Sequence, residues 1–399
     1  MLKKLLLLAI TFSMMIVLSG CWNRREINDM VIAVGMGVDK LEEGYLVSVQ
    51  VVDPSEIAAK KGSGHTPVTL YVGKGKTIFD AVREMSSIAA RKIYFSHLRM
   101  FLIGEETART EGIGTTIEFL TRDHEFREDF YIAIARKTTA KEILKGLTPI
   151  EKIPANKMFT SLEMSSKSWA ATSTVKIDEL ISDLMSEGKA PVITGISYMG
   201  DPSKADKKSN AEISEPYARL KYGGMAVFWK DKLIGWLNEE ESRGYNYLVS
   251  KVKSSVGAVT CPREDGNFSV EINGASSHMQ VRTKDNSKYL DINIIAVGSI
   301  GEVQCQIDLT DPSSIHELEK LAAEVIEANI KKTLNKSFEM QSDFVGLGAA
   351  IHRSDPKAWK TLKEDWNERM ETYPINTSVT IKLIGTGRSK RSFLEKIKE

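Results

Sequence analysis

Residues 200–216 read GDPSKADKKSNAEISEP, and how they are read decides how the rest of the chain is divided. No apolar residue recurs there at a period of two or of 3.6, and turn-forming Gly, Asp, Pro, Ser and Asn are interleaved with charges. Such a stretch offers nothing to a core and predicts an exposed connection. We therefore expect a domain boundary here. At about 100–200 residues per domain, the chain divides into a leader over 1–20, an N-terminal mixed α/β domain over 21–200, a small middle domain over 217–265 and a C-terminal mixed α/β domain over 266–399. The expected class is α+β, three domains of strands and helices.

Upstream of the break, Val31 to Val38 and Tyr45 to Val52 are rich in β-branched residues and flank the turn-like DKLEEG at 39–44, which predicts a hairpin. Pro, Gly, Ser and Lys over 53–67 predict a surface loop, followed by a short strand at Val68 to Val72. GKGKT at 73–77 is not a phosphate loop, because that motif needs a glycine five places before Gly75 and Leu70 stands there. Thr77 and Asp80 instead make a capping-box pattern, and Ile78, Val82, Met85 and Ala89 follow at helical spacing. Tyr94 to Gly104 predicts one buried strand, Gly114 to Leu120 a helix and Phe130 to Ala135 a strand. Between the last two, RDHEFRED at 122–129 reads as a solvated or salt-bridged connection, since no nucleophile or ligand set adjoins it. Thr174 opens a helix with Ile177, Leu180, Ile181 and Leu184 on one face; Gly188 and Pro191 stop it, and a strand runs from Pro191 to Met199.

Downstream, Met225 to Trp229 and Leu233 to Leu237 predict a hairpin across KDK at 230–232, and the less regular 252–267 allows a second boundary. Phe268 to Ile272, His278 to Val281 and Tyr289 to Val297 read as strands. Asp311 caps a long helix with Pro312 at its first position, where a missing donor costs nothing, and with Ile315, Leu318, Ala322 and Val325 as the buried stripe. Another helix begins near Asp355-Pro356 and buries Trp359, Leu362 and Trp366; Val379, Ile381 and Leu383 alternate as a closing strand before a basic tail.

The N-terminus carries the clearest chemistry. Lys3 and Lys4 precede an uncharged run from Leu5 to Val17, too short for the roughly 20 apolar residues of a spanning helix. Leu18-Ser19-Gly20-Cys21 then reads as a lipobox, so the run is a signal peptide cleaved before an acylated Cys21. Trp22, Arg24 and Arg25 fall where lipid headgroups would lie; they either set the depth of the chain against membrane or partner, or belong to a plain solvated tether. Without the leader the chain is close to neutral, which argues against a nucleic-acid binder. Cys261 and Cys305 form either one bridge or two unpaired buried thiols, and the second is the simpler reading. The six histidines never fall at metal-motif spacing and no nucleophile elbow is present. We expect no enzyme, no metal and no cofactor.

Taken together, the lipobox running into CWNRREIND, the strand VIAVGMGVDK, the stretch from GKTIFDAVRE to YFSHLRMFLIG, the segment YGGMAVFWKDKLIGWLNEEESRGY and the late GLGAAIHRSDPKAWKTLKEDW are similar to the C subunit of spore germinant receptors, the Ger(x)C family of spore germination lipoproteins. The resemblance covers nearly the whole chain. It implies three mixed α/β domains, an acyl anchor at Cys21 and residence on the outer face of the inner spore membrane. It also implies two integral membrane partners, the A and B subunits of a nutrient receptor, and no catalytic residues. The alternative is a lipid-anchored solute-binding protein of a transporter, which favours two alternating βα lobes.

Overall fold

The computed structural model describes residues 2–6, 29–52, 66–263 and 265–385. The β-branched runs upstream of residue 238 form one nine-stranded sheet: β1 (Met30–Lys40), β2 (Tyr45–Val52), β3 (Val68–Gly75), β4 (Lys92–Tyr94), β5 (Met100–Gly104), β6 (Tyr131–Ala135), β7 (Val192–Gly200), β8 (Ala218–Trp229) and β9 (Lys232–Leu237). Their order is β3-β2-β1-β5-β6-β7-β8-β9, with β4 beside the start of β1. The central strands β1, β5, β6 and β7 are parallel, and the flanking pairs are antiparallel.

Helices α1 (Ile78–Glu84), α2 (Glu105–Thr110), α3 (Gly114–Arg122), α4 (Ala140–Lys145), α5 (Pro154–Ser168) and α6 (Ile177–Leu184) cover this sheet. Alternate residues of a strand point to opposite faces, so the central strands, fully apolar in β5 and β6, feed two layers. Phe101, Ile103, Ile132 and Ile134 pack with Ile78, Ile117 and Leu180 on one side. Met100, Leu102, Tyr131 and Ala133 pack with Ile143, Ala155 and Met158 on the other. Of the capping-box pattern at Thr77 and Asp80 the cap itself forms, the Thr77 side chain accepting from Asp80 N at 3.1 Å. The glycines of GKGK serve packing: a Cβ on Gly73 would lie 2.0 Å from Ala81 O, and one on Gly75 2.4 Å from Ala81 N. The expected strand over Tyr94 to Gly104 is two segments, because a turn with Leu98 N donating to Phe95 O separates β4 from β5 along the same edge of β1.

Residues 200–216 do not interrupt the sheet. Strands β7 and β8 on either side pair from Val192↔Val227 to Gly200↔Ala218. The segment forms a short helix, α7 (Lys208–Glu212), pinned by buried Asn210, whose amide donates to Leu147 O and Ala218 O and accepts from Ala218 N. We expect limited proteolysis of the native protein to cut elsewhere first. Asn210→Ala should move early cleavage into 200–216, read by the masses of the first fragments; cleavage there in both proteins alike would show that Asn210 does not hold the segment.

A second sheet has the order β10 (Ser255–Thr260), β11 (Asn267–Lys284), β12 (Ser287–Val303), β13 (Ile375–Gly385). Strand β11 merges the two short strands expected at Phe268–Ile272 and His278–Val281, with an irregularity between Ile272 and Gly274. Strands β12 and β13 are parallel and joined through α9 (Pro312–Glu339), α10 (Leu347–Ser354), α11 (Pro356–Leu362) and α12 (Trp366–Arg369). Asp311 caps α9 by accepting from Ser313 N at 3.0 Å. The buried stripe of α9 is Leu318, Ala322, Ile326, Ile330 and Leu334; Val325 is exposed, because a spacing of four persists where 322 to 325 was read as three.

The residues expected as a middle domain, 217–265, are shared between the two sheets. Strands β8 and β9 complete the first and β10 begins the second. Between them lies α8 (Glu239–Leu248), started by a capping box of Asn238 and Glu241 that the sequence reading missed. Helix α8 packs on α9 so closely that a Cβ on Gly244 would meet Thr333 Oγ1 at 2.1 Å. One core joins Val192, Met225 and Val227 of the first sheet to Tyr245, Ile330 and Phe344. Cys261 and Cys305 form a disulfide, Cα–Cα 6.4 Å, where two unpaired thiols were the simpler expectation; the ends of β10 and β12, which both pair with the start of β11, bring the two positions together.

Candidate functional site around the tether

Cys21, Trp22, Arg24 and Arg25 lie outside the described residues, as does the basic tail beyond residue 385. The attachment of the tether is described. The chain joins the body at Asp29, and Met30 begins β1, held between β2 and β5 with Met30 paired to Lys92 of β4. Residues 22–28 alone separate Cys21 from Asp29. An extended chain spans at most about 3.6 Å per residue, so Asp29 stays within roughly 28 Å of the cysteine.

Beside Asp29 lies an open cavity of about 560 Å³, whose wall includes Phe79, Arg83, Arg91, Lys92 and Asp123. Phe79 is 46% exposed and carries the Arg83 guanidinium 4.8 Å over its ring; Ile88, just beyond α1, is 57% exposed. Sequence reading passed over both, although Phe79 stands visibly off the Ile78, Val82, Met85 stripe. Three ion pairs involve 122–129, Arg122 with Glu118 and Arg127 with Asp129 locally and Glu125 with Lys92 of β4. Asp123 Oδ1 also accepts from Glu125 N at 2.9 Å. This is the salt-bridged connection that the alternating charges predicted.

Two further clefts flank the join between the sheets. One, about 800 Å³, lies between β9 and the end of α9, with Trp229, Ile234 and Met340 in its wall. The other, about 540 Å³, includes Arg136, Trp169 and Asn238. Arg136 lies 4.5 Å over the Trp236 ring, whose Nε1 donates to Glu105 at 2.9 Å. Partial burial works against ionisation of Glu105, but hydrogen bonds from Lys137 N, Trp236 and Arg109 outweigh it and hold the carboxyl below its ordinary pKa. These contacts brace β9 against α2.

Two buried acids are also structural. Asp39 accepts from Ala140 N at 2.8 Å and Lys141 N at 2.9 Å, at the start of α4. Asp343 accepts from the amides of Gly346, Leu347 and Gly348 at 2.6–2.8 Å and from Trp366 Nε1 at 2.8 Å. Burial pushes both pKa values up, and these donors oppose it. Among the described residues no group of three or more His, Cys, Asp or Glu is placed to hold a metal ion, and no helix is long and apolar enough to cross a membrane.

Residues 23–198 match the family model described as the spore germination protein N-terminal domain, and 223–387 match that of the spore germination B3/GerAC-like C-terminal domain. The chain belongs to the Ger(x)C family of spore germination proteins. Spore germination protein KC of Bacillus subtilis (strain 168) is 29% identical over 394 residues, 97% of each chain. Spore germination protein B3 of the same organism is 23% identical, covering 95% of this chain and 97% of its own. The crystal structure of the GerBC protein shares the fold, with a TM-score of 0.52 and 18% identity over 88% of this chain and 97% of that one. Three of the stretches that carry the Ger(x)C resemblance are architectural: VIAVGMGVDK is β1, YGGMAVFWKDKLIGWL is the β8–β9 hairpin, and GLGAAIHRSDPKAW contains the Asp343-capped α10 and most of α11.

Proposed function

We propose that this chain is a non-catalytic, lipid-anchored subunit of a nutrient germinant receptor. Acylated Cys21 holds it on the outer face of the inner spore membrane, docked against the integral membrane A and B subunits. The observation that carries the reading is family membership over both domains, alongside relatives named as spore germination proteins. The short tether supports docking over loose recruitment. A solute-binding protein would need two alternating βα lobes about a cleft, whereas one core here joins both sheets.

The tether provides the test. About 20 Gly/Ser residues inserted after Asn28 add an end-to-end reach of roughly 25 Å and leave the lipobox and both sheets untouched. Acylation should persist. Nutrient-triggered germination should fall several-fold at unchanged protein level, because the effective concentration at the partner surface drops as the linker lengthens. Normal germination of the linker variant would favour loose recruitment, with Trp22, Arg24 and Arg25 in a passive spacer.

A further inference from the structure

The surface around Asp29 is the part of the folded body that the tether keeps nearest to its anchored end. That surface has an unusual make-up for one facing water alone. Phe79 and Ile88 are both substantially exposed, and Phe79, Arg83 and Arg91 line the same cavity as Asp29. Residues 73–92 carry five Lys and Arg against two acids, Asp80 and Glu84. The cavity wall itself is balanced, Asp29, Asp123 and Glu125 against Arg83, Arg91 and Lys92 with Lys92 paired to Glu125, so the cationic excess belongs to residues 73–92, of which Arg83 and Arg91 line the wall. Exposed aromatic and aliphatic side chains among cations, on a short helix held beside a lipid anchor, are what an interfacial membrane contact requires.

We propose that residues 73–92 form the face on which the body rests on an anionic phospholipid bilayer, with Phe79 and Ile88 entering the headgroup region and Arg83 and Arg91 meeting lipid phosphates. The proposal rests on the anchoring reading for Cys21. It assigns this surface to lipid and leaves the Trp229 cleft and the Arg136 cleft for protein partners.

The test uses the full-length acylated protein in vesicles that contain no other protein. A single cysteine is introduced as Phe79→Cys, Ile88→Cys or Met199→Cys and labelled with an environment-sensitive fluorophore. The native Cys261–Cys305 disulfide does not compete for label. Met199 is the control: Val38, Ile103, Ile134 and Gly195 are level across the sheet, which puts Met199 beyond the far end of β1. At about 3.3 Å per residue it lies roughly 40 Å along the strands from Asp29.

Flotation of the vesicles reads the anchor, and quenching by lipids carrying a spin label on the acyl chain reads the contact. Labels at 79 and 88 should lose fluorescence about twofold while the label at 199 is unchanged, as expected for insertion at headgroup depth. Raising phosphatidylglycerol from none to about 30% should strengthen quenching, and Arg83→Glu with Arg91→Glu should reverse it without loss of flotation. Protein that floats with all three labels behaving alike overturns the contact and leaves the anchor standing. Labels at 79 and 88 shielded from aqueous iodide yet untouched by spin-labelled lipid show the surface covered by protein, which also overturns it. Equal quenching with and without phosphatidylglycerol removes the roles of Arg83 and Arg91, and protein that fails to float removes the anchor reading and this one with it.

Discussion

Cys21→Ala is expected to abolish acylation and, with it, membrane retention of the processed chain. A thioether-linked diacylglyceryl group needs the Cys21 sulfur, and the structure removes the alternatives, since Cys261 and Cys305 are bonded to each other. At about 0.8 kcal/mol per buried methylene, one acyl chain anchors only marginally, whereas two hold stably. The variant loses all of them, so it should be either released or retained with its leader uncleaved. Labelling with a radioactive fatty acid, followed by fractionation, distinguishes these results. Label on the Cys21→Ala protein would sink the lipobox assignment. Germination should fall as with the linker insertion, but by release and not by dilution at the partner surface.

Asp343→Ala should bring the largest loss of stability from a single side chain. Asp343 is 3% exposed, and its carboxylate accepts four hydrogen bonds: from three backbone amides at the start of α10 and from Trp366. Each buried donor left unsatisfied costs about 1–3 kcal/mol, so with partial relaxation a loss of roughly 3–5 kcal/mol is expected. The backbone around it has no slack. Gly346 sits at φ 85°, a left-handed conformation that favours glycine, and a Cβ on Gly348 would lie 2.5 Å from the Trp359 ring. Urea unfolding followed by tryptophan fluorescence measures the change, since Trp366 donates directly to the carboxylate. A loss below about 1 kcal/mol would mean that water or a neighbouring group replaces the carboxylate, and that the GLG segment is held by packing alone.

Elements whose pattern is local were legible in the sequence. The β1–β2 hairpin, the caps at Thr77 and Asp311, Pro312 at the first turn of α9 and the alternation of β13 all follow from residues a few positions apart, where sterics and capping act directly. The stripe of α9 slipped at one position because its buried residues keep a spacing of four from Leu318 to Leu334. Helices α2, α4, α5, α7, α8 and α10 were missed, and α8 most instructively: its last four residues, Tyr245, Asn246, Tyr247 and Leu248, are all buried, so its second half has no exposed face to mark a period. At the tether, the expected lipobox rests on contiguous residues, whereas Phe79 and Ile88 became a candidate surface only when β1 and β4 brought Lys92 beside Met30.

The sequence by itself determined most strand positions, the capped or amphipathic helices and the family, since each is written in contiguous residues; the expected leader and acyl acceptor rest on contiguous residues too. Tertiary structure decided what lies across space. It made 200–216 a connection within one sheet, because β7 and β8 pair along their length and the polar segment between them is held by Asn210 and by Leu147 N donating to Ala205 O. It divided 217–265 between two sheets, because the edge of the first sheet was free to take β8 and β9 while β11 was free to take β10. It paired Cys261 with Cys305, 44 residues apart, because the end of β10 and the end of β12 both pair with the start of β11. Composition specifies that these segments must be buried; which segment covers which is set by hydrogen-bonding edges and apolar faces that exist only once the sheets have formed.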